Sequence, residues 1–277
     1  MQRSDNIISH LKNASKVLRR DIIEMNYRAG SGHPGGALSS ADIITALYFH
    51  ELNIDPKRPK WPDRDRFILS KGHSCMAQYA ALAEKGYFSK DHYKMLRQVD
   101  AVLQGHPDMM TTVGIDSPSG SLGQGFSVGC GIALGAKRLK KKFRTYVLLG
   151  DGELDEGQVW EALAFAAHYK LDNLTAIVDN NGLQSDDKNE SILNLQPLKD
   201  KFKAFNWHVM EIDGHDFDQI LRAFKSARKI KGKPTIIIAH TIKGKGVSFM
   251  ERNPKWHGSL APCESEYKKA LEDINAC

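Results

Sequence analysis

Four histidines of this chain lie in short glycine-bearing loops: Gly32-His33-Pro34-Gly35, Lys71-Gly72-His73, Gly105-His106-Pro107 and Trp256-His257-Gly258. Core histidines have no reason to recur beside glycine. The pattern predicts imidazole rings converging on a pocket, where a group titrating near neutrality can move protons. A second constellation lies mid-chain, where the apolar run Tyr146 to Leu149 leads straight into Gly150-Asp151-Gly152 and then into helical spacing through Trp160, Leu163 and Ala167. Strand, tight glycine turn and helix form a phosphate-receiving architecture. The glycines allow close backbone approach, and the first free N–H groups of the helix face the anion.

Asp151 puts a carboxylate beside that anion, which is repulsive unless a hard cation lies between them, Mg²⁺ being the usual one. Mg²⁺ takes six oxygens, so neutral protein oxygens should supplement Asp151, phosphate and water. The run Leu174 to Val178 ends in Asp179-Asn180-Asn181-Gly182 and offers carboxamide oxygens at the C-terminal edge of a sheet, where ligands of α/β folds collect. On spacing alone either asparagine can serve.

The elements that must position these groups are legible in the hydrophobic pattern. Ile7, Ile8, Leu11, Val17, Leu18, Ile22 and Met25 recur at helical spacing until Gly30, predicting one or two opening helices. Phe67 to Leu69, Tyr146 to Leu149, Leu174 to Val178, Trp207 to Met210 and Thr235 to Ala239 read as short buried strands separated by helix-length segments. That alternation predicts a doubly wound α/β fold, a mostly parallel sheet with helices on both faces. No repeat or linker divides the chain, so residues 1–277 read as a single domain with an N-terminal helical lead-in.

Composition narrows the class. A hydrophobic content of 41% suits a globular chain, no apolar run is long enough to cross a bilayer, and the polar N-terminus is unlike a signal peptide, so a cytoplasmic location without membrane contact is expected. Cys75, Cys130, Cys263 and Cys277 are too scattered for a zinc site or a disulfide framework and read as buried or inert thiols. The net charge of +6 peaks at Lys137, Arg138, Lys140, Lys141, Lys142 and Arg144, a run without interleaved aromatic residues that reads as a solvated helix terminus and not as a nucleic-acid site.

The interval from Gly150-Asp151-Gly152 to Asn181 resembles the thiamine-diphosphate signature. The four histidine loops, with Ser119-Gly120-Ser121-Leu122-Gly123-Gln124-Gly125, are similar to the transketolase family over essentially the whole chain. The resemblance implies thiamine diphosphate as cofactor with Mg²⁺, or Ca²⁺ or Mn²⁺ in its place, held by Asp151, the Asn181 side chain and the Leu183 carbonyl, with Gly152 on the diphosphate. It further implies that His73, His257 and Lys243 touch the cofactor, as do Gly120, Ser121 and Leu122 around its rings. His33 and His257 would share proton transfer with the donor sugar, whose hydroxyls His106 would bind; imidazole suits the removal of a hydroxyl proton. Gly36 departs from relatives that carry serine there. Glu156 and Glu161 correspond to glutamates near the family's dimer interface.

The family's activating glutamate belongs to a pyrimidine-binding domain, and this chain ends twenty residues after His257. The resemblance therefore implies a split enzyme: a partner chain bearing the pyrimidine-binding and C-terminal domains, a two-by-two heterotetramer, and ketol transfer between pentose-phosphate-pathway sugars. Its alternatives are a transketolase for an unusual sugar phosphate, a deoxyxylulose-phosphate synthase or 2-oxo acid dehydrogenase component, and a non-catalytic cofactor-binding subunit.

Overall fold

The computed structural model describes residues 2–276. The opening periodicity produces one helix, α1 (Gln2–Ala29), whose Leu11, Leu18, Ile22 and Met25 are fully buried. It stops at Gly30, which takes φ +66°, a conformation that glycine adopts without steric cost. Three helices follow, α2 (Pro34–Ser39), α3 (Ala41–Ala46) and α4 (Cys75–Glu84). Proline opens α2, where its missing N–H leaves no helical bond unmade.

Five strands, β1 (Arg66–Leu69), β2 (Thr145–Gly150), β3 (Leu174–Asn180), β4 (His208–Asp213) and β5 (Thr235–His240), pair in parallel in the order β1-β2-β3-β5-β4. Around them lie α5 (Gln124–Arg138), α6 (Gly157–His168), α7 (Asn189–Ile192), α8 (Leu198–Ala204), α9 (Phe217–Ala227) and α10 (Glu264–Ala276). Successive strand residues face opposite sides of a sheet, and here both sides are dry. Phe67, Leu69, Tyr146, Leu148, Ile177 and Ile237 join a core with α1, α3, α4 and α9, whereas Ile68, Val147, Leu149, Ala176, Val178 and Ile236 join a second core with α5, α6 and α8. Continuous apolar runs, and not alternating ones, are what such a sheet demands.

Two expectations change. Trp207 lies ahead of β4 and plugs the second core, its indole N–H donating to the Leu163 carbonyl at 3.0 Å and its ring 5.9 Å from Phe126. β4 itself is an edge strand and only half-buried, which is why its sequence mixes Met210 and Ile212 with His208, Glu211 and Asp213. The basic run begins at the end of α5 as expected, with Lys137 paired to Asp172 and Lys141 to Asp63. Cys75 and Cys130 are buried, and burial pushes both thiols up to about 12. Cys263 is exposed, so of the expected buried or inert thiols it is not a buried one, and Cys277 lies outside the described residues. No described helix is long and apolar enough to cross a membrane.

Register sets up the site. Gly150 lies opposite Asp179, and Asn180 opposite His240, so the loops after β2, β3 and β5 emerge side by side at the C-terminal edge.

Candidate active site

The Gly150-Asp151-Gly152 turn is pinned from below by a residue that sequence reasoning passed over. Glu153 is buried, and its carboxylate accepts the N–H groups of Gly150 (2.9 Å) and Gly123 (2.8 Å) and the Ser70 hydroxyl. One side chain thereby locks the β2 turn, the end of β1 and the loop before α5. Asp151 is also buried. It accepts Gly152 N–H at 2.9 Å and, across the strands, Gly182 N–H at 2.6 Å. Burial, reinforced by the nearby Asp179, pushes the Asp151 carboxyl up to about 6. At Gly152 a Cβ would meet the Gln184 side chain at 2.7 Å, so a larger residue there requires that side chain to shift.

The structure separates the two asparagines. Asn181 Oδ1 accepts Leu183 N–H at 3.1 Å, whereas Asn180 Nδ2 reaches His240 Nδ1 at 3.1 Å. Asp151, Asn181 and Leu183 line one cavity of about 210 Å³ together with Gly120, Leu122, Gly152 and Lys243. Among the described residues no three His, Cys, Asp or Glu side chains converge on a metal position. A cation here would depend on one carboxylate with carboxamide and carbonyl oxygens, a hard-oxygen set suited to Mg²⁺ or Ca²⁺. The donors fit such an ion: Asp151 is a buried carboxylate whose elevated pKa a divalent cation would reverse, and the Leu183 carbonyl already accepts a cationic donor, Lys243 Nζ, at 2.8 Å.

Lys243 is almost fully buried and also donates to the Gln184 carbonyl at 2.8 Å and meets His257 Nδ1 at 2.7 Å. Burial brings its ammonium down to about 8, with Asp151 acting in the opposite direction. Because the ammonium can only donate, His257 Nδ1 is the acceptor and its Nε2 carries the proton.

All four loop histidines converge. His33 stands with its ring centroid 5.2 Å from His73, 5.7 Å from His257 and 6.5 Å from His106, and His73 lies 5.1 Å from His257. Burial first, then the Arg97 charge, lowers His33 to about 4; burial and Lys243 lower His257 to about 3. His73 is pushed well below its ordinary value by burial and Lys71, and His106 is lowered by burial and Arg97. The result is a cluster of neutral rings at pH 7, able to accept or relay protons without carrying charge. His106 is exposed at the rim, beside Gly120.

Other expected residues fall less centrally. Ser121 is exposed, while its neighbours Gly120 and Leu122 line the cavity. Glu156 precedes α6 and Glu161 lies one turn into it, both exposed and away from the cavity. At Gly36 a Cβ would meet Ser74 Oγ at 2.7 Å; the space a side chain needs is already filled by a hydroxyl from another element.

Sequence reasoning also missed the floor. Lys71 and Asp179, both buried, form an ion pair; Lys71 donates to the Gly36 carbonyl at 3.0 Å, and Asp179 accepts from Ser39 Oγ (2.6 Å), Asn181 Nδ2 (3.3 Å) and Thr241 Oγ1. The pair ties α2, β1, β3 and β5 beneath the cavity. The available signal was the polarity of Lys71 and Asp179 at the ends of apolar strands, which the neighbouring histidine and asparagine overshadowed.

Residues 7–271 match the family described as transketolase, thiamine diphosphate binding domain. The chain is 45% identical over 264 residues to the 6-deoxy-6-sulfo-D-fructose transketolase subunit SqwG of a Clostridium species, covering 95% of this chain and 96% of that one. It is 41% identical over 268 residues to an apulose-4-phosphate transketolase subunit of Phocaeicola vulgatus, covering 97% and 95%. The fold superposes on transketolase from Campylobacter jejuni with a TM-score of 0.89 at 34% identity, covering 98% of this chain and 43% of that longer one. With the diphosphate-type turn, the asparagine loop and the histidine cluster in one cavity, the chain belongs to the transketolase family and carries its thiamine diphosphate binding domain.

Proposed function

We propose that this chain is the diphosphate-binding subunit of a split transketolase acting on an unusual sugar, active once a partner subunit supplies the pyrimidine-binding half. The observation carrying this reading is coverage. The chain spans 95–97% of itself and of subunits named for a sulfonated ketose and for apulose 4-phosphate, but less than half of a full-length transketolase. That pattern favours an uncommon sugar over the pentose-phosphate reaction expected from the resemblance alone. A single chain of residues 1–277 acting as one domain, a two-by-two assembly and a cytoplasmic location belong to the same proposal.

Asp151, Asn181 and the Leu183 carbonyl would hold Mg²⁺, and Gly152, His73 and Lys243 would receive the diphosphate. When bound, thiamine diphosphate supplies the carbon nucleophile for ketol transfer. The protein's own task is proton handling. With Nδ1 engaged by Lys243, His257 presents Nε2–H and acts as a donor toward the sugar. Removal of the hydroxyl proton then falls to His33, kept neutral by burial, while His106 at the rim orients the sugar hydroxyls.

The test is co-purification with the product of the adjacent reading frame, then ketol transfer with thiamine diphosphate and Mg²⁺, comparing xylulose 5-phosphate, 6-deoxy-6-sulfofructose and apulose 4-phosphate as donors. The expected result is activity only in the complex, with kcat/KM at least about tenfold higher for an unusual donor. Highest kcat/KM with xylulose 5-phosphate would restore the pentose-phosphate reading. Cofactor binding without transfer from any ketose would refute the transketolase activity.

A further inference from the structure

The loop that carries Lys243 is tied to a charged cluster on the far side of β5. The turn Asp213-Gly214-His215-Asp216 leads from β4 into α9, which Asp216 caps by accepting the N–H groups of Asp218 (2.9 Å) and Gln219 (3.3 Å). Gly214 N–H donates to the His240 carbonyl at 2.8 Å, and a Cβ at Gly214 would sit 2.5 Å from Thr241 Cγ2, so the two loops touch. From that contact the His215 ring spans two partners. Nδ1 is 2.7 Å from Asp42 Oδ2, and Nε2 accepts the Ile242 backbone N–H at 2.9 Å.

Asp42 is buried on α3 and accepts from both terminal guanidinium nitrogens of Arg19 from α1, at 2.9 and 2.7 Å, and from the Ser15 hydroxyl. Burial alone would raise its carboxyl, yet the Arg19 charge and the His215 bond hold it below the usual carboxylate range. An ionised Asp42 cannot donate, so the proton between them belongs to His215 Nδ1, and Nε2 is left as a lone pair for Ile242. Arg19 Nε donates in turn to the Lys245 carbonyl at 3.1 Å. The backbone on both flanks of Lys243 is therefore anchored to one buried carboxylate, directly behind the residue whose ammonium holds Leu183, Gln184 and His257.

We propose that His215 is a positioning residue for the cofactor site, acting through its Nε2 acceptor to set the 241–246 loop and hence Lys243. Two further bonds, Gly244 N–H to the Gly35 carbonyl (3.0 Å) and Arg252 N–H to the Lys243 carbonyl (2.9 Å), fix the loop downstream. Among the described residues only His215 receives the Ile242 N–H. A backbone donor left without its partner in a packed environment is strongly disfavoured, so loss of this acceptor shifts the start of the loop and not its end.

Two substitutions separate this role from simple support of Asp42. Glutamine at this position can bring a carbonyl near the Nε2 position, accepting from Ile242; asparagine can bring an amide N–H near the Nδ1 position, donating to Asp42 but too short to reach Ile242. The first measurement is amide exchange of residues 241–246 in the full chain, which needs no cofactor. His215→Asn should raise exchange at Ile242 about tenfold and His215→Gln less than about threefold. The second is titration with thiamine diphosphate and MgCl₂ in the complex, where His215→Asn should weaken affinity about tenfold and His215→Gln should restore it to within about threefold.

The inference rests on Lys243 as a cofactor contact, and the exchange arm is independent of that reading. Unchanged exchange in His215→Asn, or a larger effect in His215→Gln, overturns the positioning role itself. A loosened loop with unchanged cofactor affinity overturns its link to the site and leaves the transketolase reading untouched.

Discussion

Lys71→Met tests the floor of the cavity most sharply. The substitution keeps the length of the side chain, removes the cation paired with Asp179, and leaves that carboxylate with no exposed surface. Breaking a buried pair from one side costs about 3–5 kcal/mol, because the remaining charge can be neither hydrated nor neutralised without penalty. Here the low end applies, since Ser39, Asn181 and Thr241 still donate to Asp179. At about 2–4 °C per kcal/mol for a chain of this size, a loss of about 3 kcal/mol lowers Tm by roughly 6–12 °C. The companion Lys71→Met/Asp179→Asn removes both charges and keeps one carbonyl oxygen to accept from Ser39 while its amide N–H can donate to the Thr241 hydroxyl, so it should recover to within about 1 kcal/mol of the parent. Urea unfolding followed by tryptophan fluorescence, Trp207 being buried against Phe126, measures all variants in the absence of cofactor. A single-mutant loss below about 1 kcal/mol, or a double mutant no better than Lys71→Met, would refute the argument that the pair carries the floor.

Asp151→Asn should divide stability from function. The folded carboxyl titrates at about 6 against an ordinary 3.8, so its ionised form opposes folding above about pH 6 and progressively less as pH falls toward 4. The variant should therefore lack the fall in stability that the parent shows without metal as pH rises from about 4 to 7, although its amide keeps an acceptor for only one of the Gly152 and Gly182 N–H groups, and it should lose Mg²⁺-dependent cofactor binding in calorimetric titration. Unaltered micromolar binding would remove Asp151 from the metal set. His33→Ala and His257→Ala should each lower kcat of the reconstituted enzyme about 10²-fold or more, with assembly by gel filtration unchanged. Parent-level turnover in either variant takes that ring out of proton transfer.

The sheet could be read from sequence because a parallel strand covered on both faces leaves an unbroken apolar run, and four such runs became strands, the half-buried edge strand β4 being the exception. Trp207 escaped that logic. An aromatic residue next to a strand satisfies the same apolar pattern whether it extends the strand or packs beneath it, and only the position of Leu163 and Phe126 decides. Asp151 and the four histidines were legible because glycine neighbours mark loops where backbone, not packing, is the constraint. Spacing alone did not distinguish Asn180 from Asn181, since their difference arises from His240 on a strand paired through register. Lys71, Glu153 and Asp42 were invisible for a related reason: a buried charge is recognised by its partners, and for each of these at least one partner lies far away in sequence.

The cavity walls come from residues 33–36 near one end of the chain, from 257 near the other, and from five segments between. Such a pocket exists only when the entire chain has closed on itself. A ligand that fills it is a reversible cross-link among all those segments, and at a hundred times its Kd it adds about 2.7 kcal/mol to global stability by mass action. Cofactor supply would then govern the lifetime of the polypeptide as well as its turnover. Cells starved of the vitamin precursor should lose this chain to proteolysis, even where its synthesis continues.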